Sequence, residues 1–540
     1  MRRFTVACGI ACILTVAFLA AETGTKTAGE LIYREGKLPS GSRLIGSRES
    51  GGSASGSEAA CVNCHRRSGL GMAEGQIVIP PITARYLFKP GVLITSTEES
   101  HHPQPTPTGR PGYTDQTLAR AIREGVGPDG RKLSYLMPRF DIDDADMDSL
   151  IGYLRNLSTV PVPGVTEDTL HFTTVITPDS DPVKREGMLS VLTNYFVSQK
   201  RFYRGESPPL LSAWRIRYRV QRMWELHIWE LKGPPESWKE QLRDWIRREP
   251  VFALISGIGG KDWAPIHQFC QEESLPCLFP NVDLPIVAED DFYNVYFSKG
   301  VLLEGQLISL RIRNTAAETG TRRVLQIYRK DDIGAAAAKA VQDDLESHGF
   351  KTREVELARK PGGGEIASAL AGAKGKDAVV LWLRPDDLKA LGRFPAEKPS
   401  VFVSGLMGGL DQAPLQGEWR AAAHLAYPFE LPEKRGALMN YPLGWFRIER
   451  IPLVAERTQI DTFVACGILA ESLKHMLDNF VRDYLLEQLE GMLSSRIIDG
   501  NYSRLGLAPG QRFASKGGYI VHFSAPGDNR LTAEGPWMVP

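Results

Sequence analysis

No five residues narrow the structure of this chain more than Cys61-Val62-Asn63-Cys64-His65. Two thiols three positions apart share one helical turn, and both can reach the vinyl groups of a single haem. The adjacent His then lies under the ring and offers a nitrogen to iron. The competing readings are a redox dithiol and half of a zinc site. A zinc site wants a second Cys/His pair at suitable spacing, and none follows. His101-His102 stands in a Pro-rich stretch without cysteine. A redox dithiol wants a βαβ setting, which the flanking sequence lacks. The motif therefore predicts one covalent haem c on Cys61 and Cys64, with His65 as an axial ligand of the iron.

The start of the chain agrees with a protein that works outside the cytoplasm. Arg2 and Arg3 precede an apolar run from Phe4 to Ala21, and polar Glu22 and Thr23 follow. This is the pattern of an export signal over residues 1–21, with an uncleaved anchor as the alternative because a clean A-x-A site is missing. The run is short for a stable span, and no second long apolar run follows. The expectation is a periplasmic protein without a stable membrane span in the mature chain. At 540 residues the chain has room for two to four domains. Lys+Arg and Asp+Glu both total 64, so no basic excess points to nucleic acid.

Seven cysteines are present, and Cys8 and Cys12 fall in the signal. Cys270 and Cys277 flank a helix-to-strand turn. In an oxidising compartment they read as a possible disulfide, against two small buried hydrophobes as the alternative. Cys466, on an apolar helix face, reads as a buried thiol.

A second iron ligand is sought C-terminal to the attachment site. Met137, in Tyr135-Leu136-Met137-Pro138-Arg139-Phe140, is the candidate, because Met is a soft, neutral axial donor. A helix is predicted on each side: Tyr113 to Gly125, capped by Thr114, and Asp143 to Leu157, with Met147, Leu150, Ile151 and Leu154 at helical spacing. The rivals are Met72 and Met147, either of which also reads as core filler, and His101 or His102, which would make a bis-His haem.

The stretches CVNCHRRSGLG, YTDQTLARAIREGVGPDGRKLSYLMPRF and DDADMDSLIGYLRNL together resemble a class I cytochrome c domain over about residues 30–158. They are similar in particular to the cytochrome c subunits that accept electrons from membrane-associated alcohol and sugar-acid dehydrogenases. The resemblance implies an all-α domain. It also implies a carbonyl from Pro80 or Pro81 that orients His65, and glycines at 69 and 71 that let the backbone pass close to the haem edge. The implied partner is a periplasmic dehydrogenase or another cytochrome. Phe88 to Pro111 is longer than the compact form of that fold and reads as a surface insertion.

Residues 159–170, opening with Thr159-Val160-Pro161-Val162-Pro163-Gly164, read as a linker. Beyond it, strand candidates (Thr173–Thr177, Phe252–Ser256, Val324–Tyr328, Ala378–Leu383, Val401–Ser404) alternate with helices (Trp238–Arg248, Gly334–His348, Phe463–Asn479). Such alternation predicts parallel sheets covered by helices, and about 370 residues predict two lobes.

The phrases VFALISGIGGKDWAPIHQFCQEESLPCLFP, NVYFSKGVLLEGQLISLRI, RRVLQIYRKDDIGAAAAKAVQDDLESHGFK and TFVACGILAESLKHMLDN resemble the type 1 periplasmic binding protein fold of branched-chain amino-acid receptors. The resemblance covers residues 171–540 and implies a small-molecule ligand in a cleft between two lobes. The family's Tyr-Gly after the acidic pair is replaced here by Ile333-Gly334. No carboxylate for an ammonium group is identifiable. The Trp-rich segment Phe202 to Glu240 is unlike the family's opening.

Ligands of open α/β sheets bind at the carboxyl ends of strands. That rule makes Ser256, Gly257, Gly259, Gly260, Asp331, Asp332, Ser404 and Gly405 the cleft candidates, with ordinary turn chemistry as the plainer account of the same residues. The whole reads as a periplasmic electron carrier with an appended solute-binding module. The alternative is a ligand receptor whose haem domain is an accessory or redox sensor. No nucleophile–base arrangement of an enzyme is legible.

Overall fold

A computed structural model describes residues 26–49, 51–74, 77–95, 104–107, 109–204, 222–359, 363–495, 498, 500–525 and 527–540. The expected signal, His101, His102 and Trp214 lie outside them. Among the described residues no helix is long and apolar enough to cross a membrane. The chain divides into two compact units, residues 1–160 and 161–540.

Among the described residues, five α-helices shape the first unit: α1 (Ala28–Glu35), α2 (Val62–His65), α3 (Ala84–Leu87), α4 (Asp115–Glu124) and α5 (Asp144–Asn156). Their ends follow local chemistry. Thr27, Thr114 and Asp143 cap α1, α4 and α5 through side-chain oxygens, and Gly36 and Gly125 stop α1 and α4 in left-handed conformation. Gly29 lets α1 cross α5 closely, because a Cβ there would sit 2.2 Å from the Ser149 carbonyl oxygen. Ile32, Tyr33, Leu118, Ile122, Met147, Leu150, Ile151 and Leu154 form the core of the unit.

The unit is not all-α, as the cytochrome resemblance implies. Short strands β1 (Ile45–Ser47), β2 (Ser53–Ser55) and β7 (Arg139–Asp141) pair antiparallel in the order β2-β1-β7. β3 (Met72–Glu74) pairs with β4 (Ile77–Ile79), and β5 (Val92–Thr95) with β6 (Gln104–Pro107). The connecting segments are long enough to double back, and their backbone groups find partners in each other. Part of the expected surface insertion is therefore a strand pair.

The second unit has two lobes. The first lobe holds a parallel sheet in the order β12-β11-β10-β8-β9, made of β8 (Thr169–Ile176), β9 (Met223–Glu230), β10 (Ala253–Ile255), β11 (Cys277–Leu278) and β12 (Asn294–Val295). Its helices include α6 (Pro182–Arg204), α7 (Trp238–Arg248) and α8 (Ala264–Glu272). The Trp-rich segment supplies β9, whose Trp224 and Trp229 are buried.

The second lobe runs β14-β13-β15-β16-β17-β18-β19. β13 (Arg323–Arg329), β14 (Lys351–Leu357), β15 (Asp377–Trp382), β16 (Ser400–Ser404) and β17 (Ala423–Tyr427) are parallel. β18 (Tyr519–Phe523) and β19 (Leu531–Ala533) add antiparallel. Every residue of β15 is buried, as strands covered on both faces require. Helices α9 (Val301–Thr319), α10 (Gly334–Ser347), α11 (Gly363–Leu370), α12 (Pro385–Lys389), α13 (Gly405–Gly408) and α14 (Gly417–Ala422) belong to this lobe.

The chain then returns to the first lobe through α15 (Pro432–Ile448), α16 (Glu456–Met476) and α17 (Arg482–Ser495). Trp445 and Phe463 pack against Tyr195 of α6, and the Arg482 guanidinium donates to the Val251 and Phe252 carbonyls. Three crossings between the lobes run side by side. Tyr296 bridges to Phe513, and Tyr502 stacks on Phe297 at 5.1 Å and meets Phe429 at 5.3 Å.

Cys270 and Cys277 are free thiols in this structure, not the expected disulfide. Both are fully buried, and burial with the neighbouring sulfur pushes the Cys270 thiol upward. Cys466 is buried as expected.

Candidate functional site

In the first unit, Cys61 precedes the short helix α2, and Cys64 and His65 lie on it. The His65 ring is held from behind, with Nδ1 3.1 Å from the Pro80 carbonyl oxygen. That leaves Nε2 as the nitrogen free to bind a metal, the arrangement that a ligating His requires. Gly71 explains how Pro80 gets there. It sits at φ +74°, and a Cβ would lie 2.1 Å from the Ile79 carbonyl oxygen. Gly69 is likewise pressed under Leu157, where a Cβ would meet Cδ2 at 2.4 Å. Both glycines thus serve close approach between parts of the chain itself.

Met137 is half-buried against the same apolar core that Cys61 and Val62 adjoin. Its backbone is fixed on both sides: its N–H donates to Ser134, and its carbonyl accepts from Arg139. Of its rivals, Met147 is buried in the core and Met72 lies on β3. Arg139 is mostly buried and its Nη2 lies 3.9 Å from the Glu49 carboxylate, while neither that nitrogen nor Nε has a hydrogen-bond partner among the described residues. Paired thiols, a back-bonded His and a half-buried Met beside an apolar core fit a covalently bound haem.

In the second unit the expected cleft residues are brought near one another, but most are spent on internal contacts. Ser256 ends β10 at φ +48° and is fully buried. Its hydroxyl donates to Thr462 Oγ1 at 3.0 Å and accepts from Asn281 Nδ2 at 2.9 Å, so it anchors α16. Gly257 and Gly259 are roofed by the Trp263 indole, 2.7 Å from where either Cβ would stand. Gly260 packs on Asp179, which accepts from the Gly260 and Lys261 N–H groups.

Ser404 is also buried. It donates to the Glu304 carboxylate and accepts from the Met407 N–H. Gly405 leaves room for this, since a Cβ would lie 2.2 Å from the Ala426 carbonyl oxygen. Glu304 also accepts from the Leu406 N–H at 2.8 Å. Burial pushes its pKa up to about 8, against the opposing pull of these bonds. Asp332 forms a bidentate ion pair with Arg384 at 2.8 and 3.0 Å.

The strand ends carry a charged lattice that the sequence reading missed. The loop after β11 presents Asp283, which accepts from Arg457 of α16 at 2.8 Å and lies 3.4 Å from Lys184 of α6. Burial would raise the Asp283 carboxyl, but Lys184, Arg457 and the field of Arg384 together hold it well below the usual carboxylate range. Arg384 belongs to the second lobe, as does Asp331, whose backbone carbonyl accepts from Lys261 of the first. Behind Arg457, Asp461 bonds Asn501 at 2.8 Å, and burial raises its pKa to about 6. Each of these ion pairs lies within one lobe, Asp283 with Arg457 and Lys184 in the first and Asp332 with Arg384 in the second, and Lys261 Nζ donates across to the Asp331 carbonyl.

No protein-family model matches the chain, and no curated protein matches it. Solved structures do. An ABC transporter substrate-binding protein from Sphaerobacter thermophilus is 16% identical with a TM-score of 0.50, covering 69% of this chain and 98% of its own. A possible leucine/isoleucine/valine-binding protein from Rhodopirellula baltica (12% identical, TM-score 0.48) covers 70% of this chain and 98% of its own. A substrate-binding periplasmic protein from Ralstonia solanacearum (15%, 0.49) covers 68% and 100%. The likeness to the first is one of fold. The two-lobed unit has the type 1 periplasmic binding protein fold.

Proposed function

We propose that the chain is a solute-binding receptor, working outside the cytoplasm, whose first unit carries one covalent haem as an accessory or redox sensor. The observation that supports it best is the meeting of parallel strand ends from two lobes around the lattice of Asp283, Arg457, Lys184, Asp332 and Arg384. Side chains at such strand ends bind small molecules in open α/β sheets. The chain acts here as a binder and not as an enzyme.

Two of the similar structures are a possible leucine/isoleucine/valine-binding protein and a substrate-binding periplasmic protein. In this chain an ammonium group would have to displace Arg457 and Lys184 from Asp283, or Arg384 from Asp332. A polar ligand that exchanges charge for charge fits such a cleft better than an aliphatic one.

A second reading, electron carriage to or from a periplasmic dehydrogenase or another cytochrome, is favoured by the back-bonded His65. When bound, the haem supplies a single-electron couple. Cys61 and Cys64 would hold it covalently, and His65 and Met137 would be its axial ligands.

Two measurements test the proposal. Haem-staining of the denatured full chain, with and without Cys61→Ala and Cys64→Ala, reads covalent attachment. Staining lost in the double variant supports it, and staining unchanged removes it. Thermal-shift screening of the full chain against amino acids, carboxylates and alcohols reads the receptor. A shift abolished by Arg457→Met supports a ligand in this cleft. A ligand whose shift survives both Arg457→Met and Arg384→Gln argues against the cleft as its site.

A further inference from the structure

On the outer part of the first lobe, His171 of β8 and His227 of β9 lie on one face of the sheet. His171 is in register with Glu225, two positions before His227 on the same strand. His171 Nδ1 is 3.1 Å from His227 Nε2, and the two rings are 5.4 Å apart. The other nitrogen of His227, Nδ1, is 3.1 Å from Glu249 Oε2. Glu249 Oε2 also accepts from Trp229 Nε1 at 3.1 Å.

A neutral His227 that carries its proton on Nδ1, toward Glu249, turns its Nε2 lone pair toward His171. A carboxylate behind an imidazole whose far nitrogen faces outward is the support that metal-binding histidines carry.

The geometry points to a transition-metal site in which His171 Nδ1 and His227 Nε2 bind one divalent cation, with Glu249 as the positioning residue behind His227. With metal–nitrogen bonds of about 2.0–2.1 Å, a 3.1 Å nitrogen separation subtends roughly 95–100°. That lies between the right angle of square or octahedral sites and the tetrahedral angle, so both kinds of geometry are within reach of small ring rotations. Binding needs no net proton release. His171 moves its proton from Nδ1 to Nε2, and its Nδ1 lone pair takes the cation in place of the present hydrogen bond.

The surrounding charges favour a cation on balance. Asp168 and Glu225 face His171, against one Lys200. Both histidines are half-buried, so the site is open to water. Among the described residues no three His, Cys, Asp or Glu side chains converge, so water completes the shell. Two imidazoles with water rank copper above nickel and zinc. The inference is independent of the receptor and haem readings, since it uses neither the cleft nor the first unit.

The test is equilibrium dialysis of the chelator-stripped full chain against Cu²⁺, Ni²⁺ and Zn²⁺, with electron paramagnetic resonance of the Cu²⁺ form. The expected result is one site, tightest for Cu²⁺, with nitrogen hyperfine structure from two imidazoles. His171→Gln and His227→Gln should each weaken it at least tenfold, and Glu249→Gln roughly 10–100-fold. Unchanged stoichiometry, affinity and hyperfine structure in His171→Gln would overturn the proposal, as would no saturable binding by the unaltered chain. Should His227→Gln fail to fold, the half-exposed His171→Gln carries the same decision. Loss of binding there with an unchanged melting temperature supports the site.

Discussion

Gly29 and Tyr153 hold the first unit together at one point: a Cβ on Gly29 would lie 2.6 Å from the Cβ of Tyr153. The ring of Tyr153 meets Tyr33 at 5.3 Å, and its hydroxyl accepts from Arg34 Nε at 3.3 Å. Gly29→Val therefore forces α1 away from α5. Overpacking of this kind costs about 1–3 kcal/mol. The expected outcome is an earlier unfolding transition of the first unit, followed by urea titration of the full chain. An unchanged midpoint would mean that the two helices do not meet at Gly29.

Met137→Ala removes a soft axial donor if Met137 binds the iron. The haem should stay attached, its reduction potential should fall, and the ferric and ferrous spectra should respond to added imidazole. An unchanged potential and spectrum would transfer the role to another residue, Met72 and the undescribed His101 and His102 being the remaining rivals.

Glu304 should make stability depend on pH in the unusual direction for a carboxyl. Its folded pKa, about 8, lies well above the usual carboxylate range. The folded state therefore keeps a proton that the unfolded chain has lost. Its contribution is complete below about pH 4.5 and falls as pH rises toward 8, by up to about 1.4 kcal/mol per pH unit. Glu304→Gln mimics the protonated form. Between pH 5 and 8 the variant should gain steadily on the parent in melting temperature, and a constant gap across that range would refute the assignment.

Arg457→Met leaves the Asp283 carboxylate with Lys184 as its remaining direct cation. Breaking a largely buried pair by removing one partner costs about 2–4 kcal/mol once partial exposure is allowed for. Asp283→Asn in the same background should restore part of the loss, since a neutral amide no longer needs the guanidinium. A double variant no more stable than Arg457→Met alone would show that the pair is not coupled.

The helices of the first unit were legible because their signals are local: Thr and Asp caps, Gly stops. The parallel strands were legible as apolar runs between helices. The cleft was not. Ser256 and Ser404 have the right residue type at the right strand ends, yet one bonds Thr462, 206 residues away, and the other bonds Glu304, 100 residues away. Which way a strand-end side chain turns depends on what packs behind it, and that is tertiary. The same holds for Asp283, whose partners lie 99 and 174 residues off, and for His171 and His227, 56 residues apart. The all-α expectation failed because connecting segments pair with each other wherever their backbones meet.

The discontinuous first lobe has a consequence for how the chain comes to be folded. Residues 169–295 cannot bury the inner faces of their sheet until α16 and α17 exist, and those helices end at Ser495. The second lobe must wait as well, for β18 and β19. During synthesis nearly the whole unit therefore stands unfinished until its last segments are made, with apolar strands exposed to water and to each other. The contiguous first unit can close long before. A chain interrupted anywhere between residues 320 and 490 would keep a finished small unit joined to an aggregation-prone fragment, so any cell making this protein depends on holding that fragment soluble until the end arrives.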